Sequence, residues 1–288
     1  MINGPAICRI CTATTLGLLA AVYVGGCSKA PSPAPVPGDA VSIVFEARAG
    51  DAAYGCASDA PTVPFGDTTL SPGILRLFVH DVELTLTDGT IETGRIINDS
   101  FWQTAEVALL DFEDGTARCR GGSGETNAKI VLEKPAAAVK AVAFSIGVPF
   151  DQNHADPAKA VGPLSYTSMH WSWKAGYKFL RLDGKTADGG AYGLHMGSTG
   201  CEGSIGDVSS CARPNRTRVA LENFDPASQK IVLDVAALVA SGADETGGGN
   251  YGCLGEKTQA GCVPVFRQLG LDFESGAPAA SQLVFTAR

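Results

Sequence analysis

Along most of the chain, apolar and polar residues alternate with a period of two. Val41-Ser-Ile-Val-Phe-Glu-Ala-Arg48, Ile74-Leu-Arg-Leu-Phe-Val-His-Asp-Val-Glu-Leu-Thr-Leu86 and Ala128-Lys-Ile-Val-Leu-Glu133 show it best. Successive side chains of a strand point to opposite faces, so this period predicts half-buried strands rather than helices. Further strands are predicted over Glu106 to Phe112, Val139 to Val148, Tyr177 to Asp183, Thr217 to Phe224, Gln229 to Asp234 and Gln282 to Ala287, from β-branched residues and turn punctuation. Asp88-Gly89, between Leu86 and Ile91, predicts a hairpin turn. Asp234 to Ser241 predicts one short helix. The 35 glycines and 16 prolines fit many loops between short strands. The expected fold is all-β, an antiparallel β-sandwich with long disulfide-stapled loops. The long loops are Pro149 to Ser168, Gly193 to Pro214 and Ser241 to Pro264, and long irregular loops in a domain are usually functional or stapled.

The N-terminus follows another rule. Residues 1–26 contain a single charge, Arg9, then an apolar run ending at Val24-Gly-Gly-Cys27. This reads as a lipoprotein signal peptide, with Cys27 as the lipid acceptor. Ser28 fits an outer-membrane destination. Residues 27–38 form the lipidated cysteine and a tether, with four prolines between Lys29 and Gly38 favouring extended geometry. A single β-rich domain is expected over 39–288. The expected location is the periplasmic side of a Gram-negative envelope, anchored through lipid.

Export changes the cysteine arithmetic. Cys8 and Cys11 leave with the leader and Cys27 carries lipid, so Cys56, Cys119, Cys201, Cys211, Cys253 and Cys262 remain. An even number in an oxidising compartment predicts three disulfides. Pairing Cys201 with Cys211 and Cys253 with Cys262 closes short loops and leaves Cys56 with Cys119, but spacing alone does not choose among the connectivities. A thiolate metal site is the alternative use. The net charge is −8, and losing Arg9 makes it more negative by one. With no basic patch, nucleic-acid binding is not expected.

The chain has four histidines, and neutral imidazole suits copper. His80 lies mid-strand, where its even spacing with Arg76 and Leu84 predicts a polar or mixed face. His154 follows a strand in Pro149-Phe-Asp-Gln-Asn-His-Ala-Asp156, and His195 enters the glycine-rich turn Gly193-Leu-His-Met-Gly-Ser-Thr-Gly-Cys201. Met169-His-Trp-Ser-Trp-Lys-Ala-Gly-Tyr-Lys-Phe179 holds two of the three tryptophans. In an extended segment Trp171 and Trp173 share one face, and His170 takes the other. Core packing is the usual use of such aromatics. An indole nitrogen only donates, so it is no ordinary ligand. Oxidative opening to kynurenine would create an aryl amine with a lone pair beside a ketone. Asp151, Asn153 and Asp156 offer hard oxygens but lack a calcium-loop pattern. Gly197-Ser-Thr-Gly200 is not a nucleophile elbow. No haem-attachment, Walker or dinucleotide motif is present.

Five pieces then occur in order: Leu109-Leu-Asp-Phe-Glu-Asp-Gly with Cys119; Gly147-Val-Pro-Phe with Asn153-His154; Trp171-Ser-Trp-Lys-Ala-Gly-Tyr-Lys-Phe179; His195-Met-Gly-Ser-Thr-Gly-Cys201; and Pro214-Asn-Arg216. The series, from about Val41 to Phe285, resembles the MbnP-like proteins, the metallo-mystery-pair four-Cys family associated with methanobactin copper gene clusters. The resemblance implies periplasmic copper handling without catalysis by this chain. It implies a partner, an MbnH-type dihaem enzyme related to cytochrome c peroxidases, that converts a tryptophan to kynurenine. By the same resemblance the metal ligands are His154, His195 and Trp173 as kynurenine, with Trp171 the other modifiable position. Related surface copper proteins place a histidine two residues after the modified tryptophan. Here those positions are Ala175 and Trp173, so the ligands are expected to come from distant loops, with His170 ranked behind the other two. Two other readings remain at this stage. One is a lipid-anchored β-sandwich that binds a surface partner without metal. The other is a hydrolase or another enzyme, for which the sequence names no substrate.

Overall fold

The computed structural model describes residues 39–171, 176–239, 245–247 and 250–288. The leader, Cys27 and the tether lie outside the described residues, as does Trp173. The main strands are β1 (Ala40–Ala49), β2 (Thr68–Leu86), β3 (Val107–Asp111), β4 (Lys129–Glu133), β5 (Val139–Ile146), β6 (Leu180–Thr186), β7 (Ala191–Met196), β8 (Thr199–Glu202), β9 (Ser210–Arg213), β10 (Thr217–Glu222), β11 (Ile231–Asp234), β12 (Asn250–Cys253) and β13 (Phe285–Ala287). Short helices are α1 (Phe150–Asn153), α2 (Val235–Val239) and α3 (Cys262–Gln268). The larger sheet runs β10-β5-β2-β6-β7-β12, with β3 also on β2. The smaller sheet runs β13-β11-β1, with β4 also on β1. The two sheets share one core: Phe45 of β1 meets Phe144 of β5 edge-on at 5.6 Å, and Phe144 meets Phe285 of β13 at 6.0 Å.

Most ladders are antiparallel, as expected. Among the described residues two are parallel: Phe45 stands opposite Ile231, and Tyr192 opposite Tyr251. A parallel neighbour needs a long crossover, and the period-two pattern carries no information on strand direction. The predicted Tyr177-to-Asp183 strand divides into a Gly176–Tyr177 pairing and β6. Strands β7, β8 and β9 and helix α3 occupy stretches whose alternation was weak or that read as loops.

Strand β2 organises the sandwich. Leu75, Leu77 and Val79 enter the main core, and so do Val82, Leu84 and Leu86. The inward set switches from odd to even positions at Asp81, which has φ +53° and sits in a register shift against β5. A bulge adds one residue and moves the following side chains to the opposite face. The expected sharing of one face by Arg76, His80 and Leu84 is therefore corrected, since Leu84 lies in the main core. Arg76 is 2% exposed, and the His80 ring is half-buried.

The other face of β2 supports a second core of Phe78, Val107, Leu109, Val148, Met169, Tyr177, Phe179 and the third tryptophan, Trp102. Phe78 joins the segments that roof it: its N–H donates to Phe179 O and its carbonyl accepts from Gly147 N, each at 2.9 Å. Beside it, Arg76 Nε donates to Asp111 Oδ2 at 2.8 Å, and another guanidinium nitrogen pairs with Glu113. Both carboxylates are fully buried. Burial pushes Asp111 up to about 6, against the pull of Arg76 and with a further push from Glu113. Arg76 also donates to Ser168 Oγ at 2.9 Å, which ties the cluster to the segment leading into His170.

Among the described residues the disulfides are Cys56–Cys119, Cys201–Cys211 and Cys253–Cys262. Arg76→Met leaves two buried carboxylates without their cation. Stranding a buried charge costs about 3–5 kcal/mol, so urea unfolding monitored by circular dichroism is expected to show a large fall in midpoint. An unchanged midpoint would mean that the cluster does not hold the fold.

Candidate metal centre

His154 is 4% exposed at the C-terminus of α1. Its neighbour Asn153 sets its chemistry. Asn153 Oδ1 accepts the Tyr177 N–H at 2.8 Å, which turns the amide nitrogen toward His154 Nε2 at 2.9 Å. An amide nitrogen only donates, so this network assigns Nε2 as the lone-pair nitrogen of His154. Cys211 Sγ lies 3.3 Å from the same nitrogen. Cys201 and Cys211 are direct cross-strand partners on β8 and β9, and Gly206 in their connecting turn donates its N–H to the His154 carbonyl at 2.9 Å. His154 also borders an open cleft of 1220 Å³ with Phe150, Asp156, Leu164, Tyr177 and Val208.

His195 sits near the end of β7 with a different clamp. Its Nε2 lies 2.5 Å from Asp183 Oδ1, and Arg181 Nε donates to the other carboxylate oxygen at 2.8 Å. Burial pushes Asp183 up, but the hydrogen bond and charge of His195, together with Arg181, hold it below the usual carboxylate value. With Nε2 turned to Asp183, Nδ1 is the ring nitrogen that would carry a lone pair for a metal, and it does so only in the neutral form of the ring. Metal-bound histidines are commonly oriented by such a carboxylate on the other nitrogen.

Trp171 links these two neighbourhoods. It is 2% exposed, and its ring lies 6.2 Å from that of His195. It pairs with Gly176, where a Cβ would stand 3.0 Å from Asn153 Nδ2. Gly197 closes the approach: a Cβ there would meet Tyr177 O at 2.5 Å and Trp171 Cζ3 at 2.6 Å. His170 takes the other face of its strand, as expected, with its ring 5.0 Å from Tyr177. Its Nε2 is buried with no partner among the described residues. Burial first, then Lys178 and His154, lower its pKa, so its ring favours the neutral, ligating form. His80 stands elsewhere, beside Asp81, Arg95 and Pro149, and is not part of this group.

Two residues of the Pro214-Asn-Arg216 motif brace the loops. Asn215, at φ +51°, donates from Nδ2 to Gly197 O at 2.8 Å. Arg216 Nε donates to Val148 O at 2.8 Å and lies over the Phe179 ring at 5.0 Å. The sequence marked this motif without giving it a role. Asp183 was missed altogether, because it ended a predicted strand and resembled ordinary turn punctuation. Its only signal is a carboxylate and a histidine on consecutive alternating segments.

The fold and these side chains define a class: a disulfide-stapled β-sandwich with histidines and a buried tryptophan on braced loops. The MbnP family profile matches residues 38–253. Among solved structures, the chain is similar to MbnP from Methylosinus trichosporium, with 28% identity and a TM-score of 0.71, covering 86% of this chain and 97% of that one. No curated protein matches. The chain belongs to the MbnP family.

Gly197→Ala forces its methyl group into Trp171 and the Tyr177 carbonyl. Overpacking of this kind costs about 1–3 kcal/mol, so a lower thermal midpoint and altered tryptophan fluorescence are expected. His80 gives a pH prediction. Burial, helped by Arg216 and Arg218 and opposed by Asp81, lowers it to about 4 from 6.5. Below 6.5 the unfolded chain takes up this proton before the folded one, so this contribution to stability is full above 6.5 and declines down to about 4. His80→Gln is expected to flatten that part of the stability–pH curve measured by urea unfolding.

Proposed function

We propose that the protein is a periplasmic, lipid-anchored copper-binding protein that performs no catalysis itself. A tryptophan, Trp173 with Trp171 as the alternative, is oxidised to kynurenine by a dihaem partner enzyme of the MbnH type. Membership of the MbnP family supports a copper-related role. The observation that carries the reading is the Asp183–His195 clamp beside buried Trp171, which engages Nε2 and turns Nδ1 into the nitrogen available to a metal when the ring is neutral. The Nε2 of His170, buried with no partner among the described residues, also fits a metal nearby, since a buried polar atom needs a partner. Imidazole nitrogens with an aryl amine suit copper better than calcium or magnesium.

In this reading His195 and His154 hold the metal, and the kynurenine amine completes the set. At Nε2 of His154 the metal replaces the Asn153 hydrogen bond. Asp183 orients His195 and raises its basicity. The modification opens the indole C2–C3 bond with two oxygen atoms from dioxygen or peroxide supplied with the partner, and hydrolysis then releases formate.

The test is mass spectrometry and metal analysis of the mature protein, produced with and without its dihaem partner. Partner-dependent conversion on the Trp171-to-Trp173 peptide and stoichiometric copper are expected together. His154→Ala and His195→Ala are expected to lose copper, and Asp183→Asn to weaken it by about 10- to 100-fold, the usual effect of losing an orienting partner. Unmodified tryptophan and no copper after co-production would sink the reading and favour a metal-free surface-binding module.

A further inference from the structure

We infer that the Cys201–Cys211 disulfide is a redox-gated second ligand set, which joins His154 on reduction to form a two-sulfur, one-nitrogen site for a soft monovalent metal. It goes beyond the nitrogen-donor reading and does not depend on kynurenine.

Two observations carry it. The first is unequal burial. Cys56, Cys119, Cys253 and Cys262 are all buried, at 4% exposure or less, whereas Cys201 and Cys211 are both partly exposed. Exposed disulfides are the labile ones, because exchange requires a thiolate to reach a sulfur atom. The other two bridges lie within the hydrophobic packing or beside it, out of reach of an exchanging dithiol.

The second is placement. The two Sγ atoms and a ring nitrogen of His154 lie within 4.8 Å of one another. The nearer approach, 3.3 Å from Cys211 Sγ, is made by Nε2, which the Asn153 amide assigns as the lone-pair nitrogen. A structural bridge has no need of a buried imidazole lone pair at its sulfur. The Gly206-to-His154 backbone bond holds the turn of the β8–β9 hairpin against the histidine loop. Opening the S–S bond therefore leaves both sulfurs near that imidazole, because the hairpin hydrogen bonds and this tie persist.

The chemistry balances with a dithiol reductant. A dithiol transfers two electrons and two protons to the bridge, breaking one S–S bond, forming two thiols and becoming a disulfide itself. Binding a monovalent cation then releases the two thiol protons as the thiolates ligate. Thiolate and imidazole together select Cu(I)-like soft ions. The reverse exchange uses the oxidised dithiol: its disulfide takes two electrons and two protons and breaks, the Cys201–Cys211 bond re-forms and the metal is released, so the local dithiol–disulfide balance decides whether this set holds a metal.

The experiment uses the full mature chain made without a dihaem partner, so that its tryptophans are intact and kynurenine plays no part. A phosphine reductant is titrated in and removed anaerobically. Iodoacetamide peptide mapping then reports which cysteines opened, and Cu(I) alone is titrated against a chromogenic chelator. We expect Cys201 and Cys211 to be alkylated first, near-UV circular dichroism to be retained, and Cu(I) affinity to rise at least about tenfold over the oxidised protein. His154→Ala should reduce that gain, and the Cys201→Ser, Cys211→Ser double variant should lack it while keeping the fold. Simultaneous opening of all three bridges, loss of tertiary signal on reduction, equal Cu(I) affinity in both states, or a gain untouched by His154→Ala would each overturn the inference. Kynurenine-dependent copper binding is read in separate, co-produced protein, so either reading can fail without the other.

Discussion

A strand as long as Thr68–Leu86 must have both faces and both edges satisfied along its whole length, and most of the molecule follows from how that is done. One face serves the sandwich core. A sandwich core needs apolar side chains on that face from end to end, yet strict alternation over such a length also accumulates twist and prevents a change of neighbour. The bulge at Asp81 resolves the conflict. It changes the inward set from Leu75, Leu77 and Val79 to Val82, Leu84 and Leu86 as β2 passes from β6 to β5. Arg218 secures the bulge, donating to Asp81 O at 2.8 Å and to Asp81 Oδ2 at 2.9 Å. Around that change of partner, Phe78 on the opposite face collects Phe179 and Gly147, and the second core grows from it. The histidine and tryptophan loops rest on that second core.

Those loops are long, and long loops are usually mobile. Here backbone-directed hydrogen bonds restrain them. Asn215 and Arg216 are consecutive, yet one holds the loop after His195 through Gly197 O and the other holds the approach to His154 through Val148 O. Arg213, just before them, is anchored between Phe266 and Phe273 and donates to Gly255 O at 2.7 Å. One short segment thus fixes the spacing of two loops against the main core. A metal centre needs this kind of support, because ligands misplaced by about 0.5 Å lose their geometry. A surface that grips a protein or glycan would present its aromatics outward. Trp171 is instead enclosed by Gly197 and the ring of His195.

What could be read from sequence follows from what a period-two pattern encodes. It located β1, β3, β4, β5, β10 and β11 to within a few residues, because each puts one face into a core. It could not encode strand direction, so the parallel β1–β11 and β7–β12 ladders had no signal. It gave no sign that Arg76 is buried, placing it only on a polar or mixed face with His80. Only its pairing with Asp111 and Glu113, more than 30 positions away, makes burial tolerable. The family was legible in residue types and order; the packing around the candidate site was not. His154 and His195 were singled out, but Asp183, Asn153 and Gly197 act through cross-strand and loop contacts that no local spacing reveals.

The same separation of local and distant constraint explains why three disulfides need not share one purpose. Cys56–Cys119 spans 63 positions and fastens the segment before β2 to the turn after Glu113, so it restrains a large part of the unfolded chain. Cys253–Cys262 joins β12 to α3 inside the main core. Cys201–Cys211 spans only 10 positions between strands already paired, so a cross-link there removes comparatively little entropy. A bridge that adds modestly to folding, remains partly open to solvent and lies against a histidine lone pair is better placed to affect the chemistry of the site than the stability of the fold.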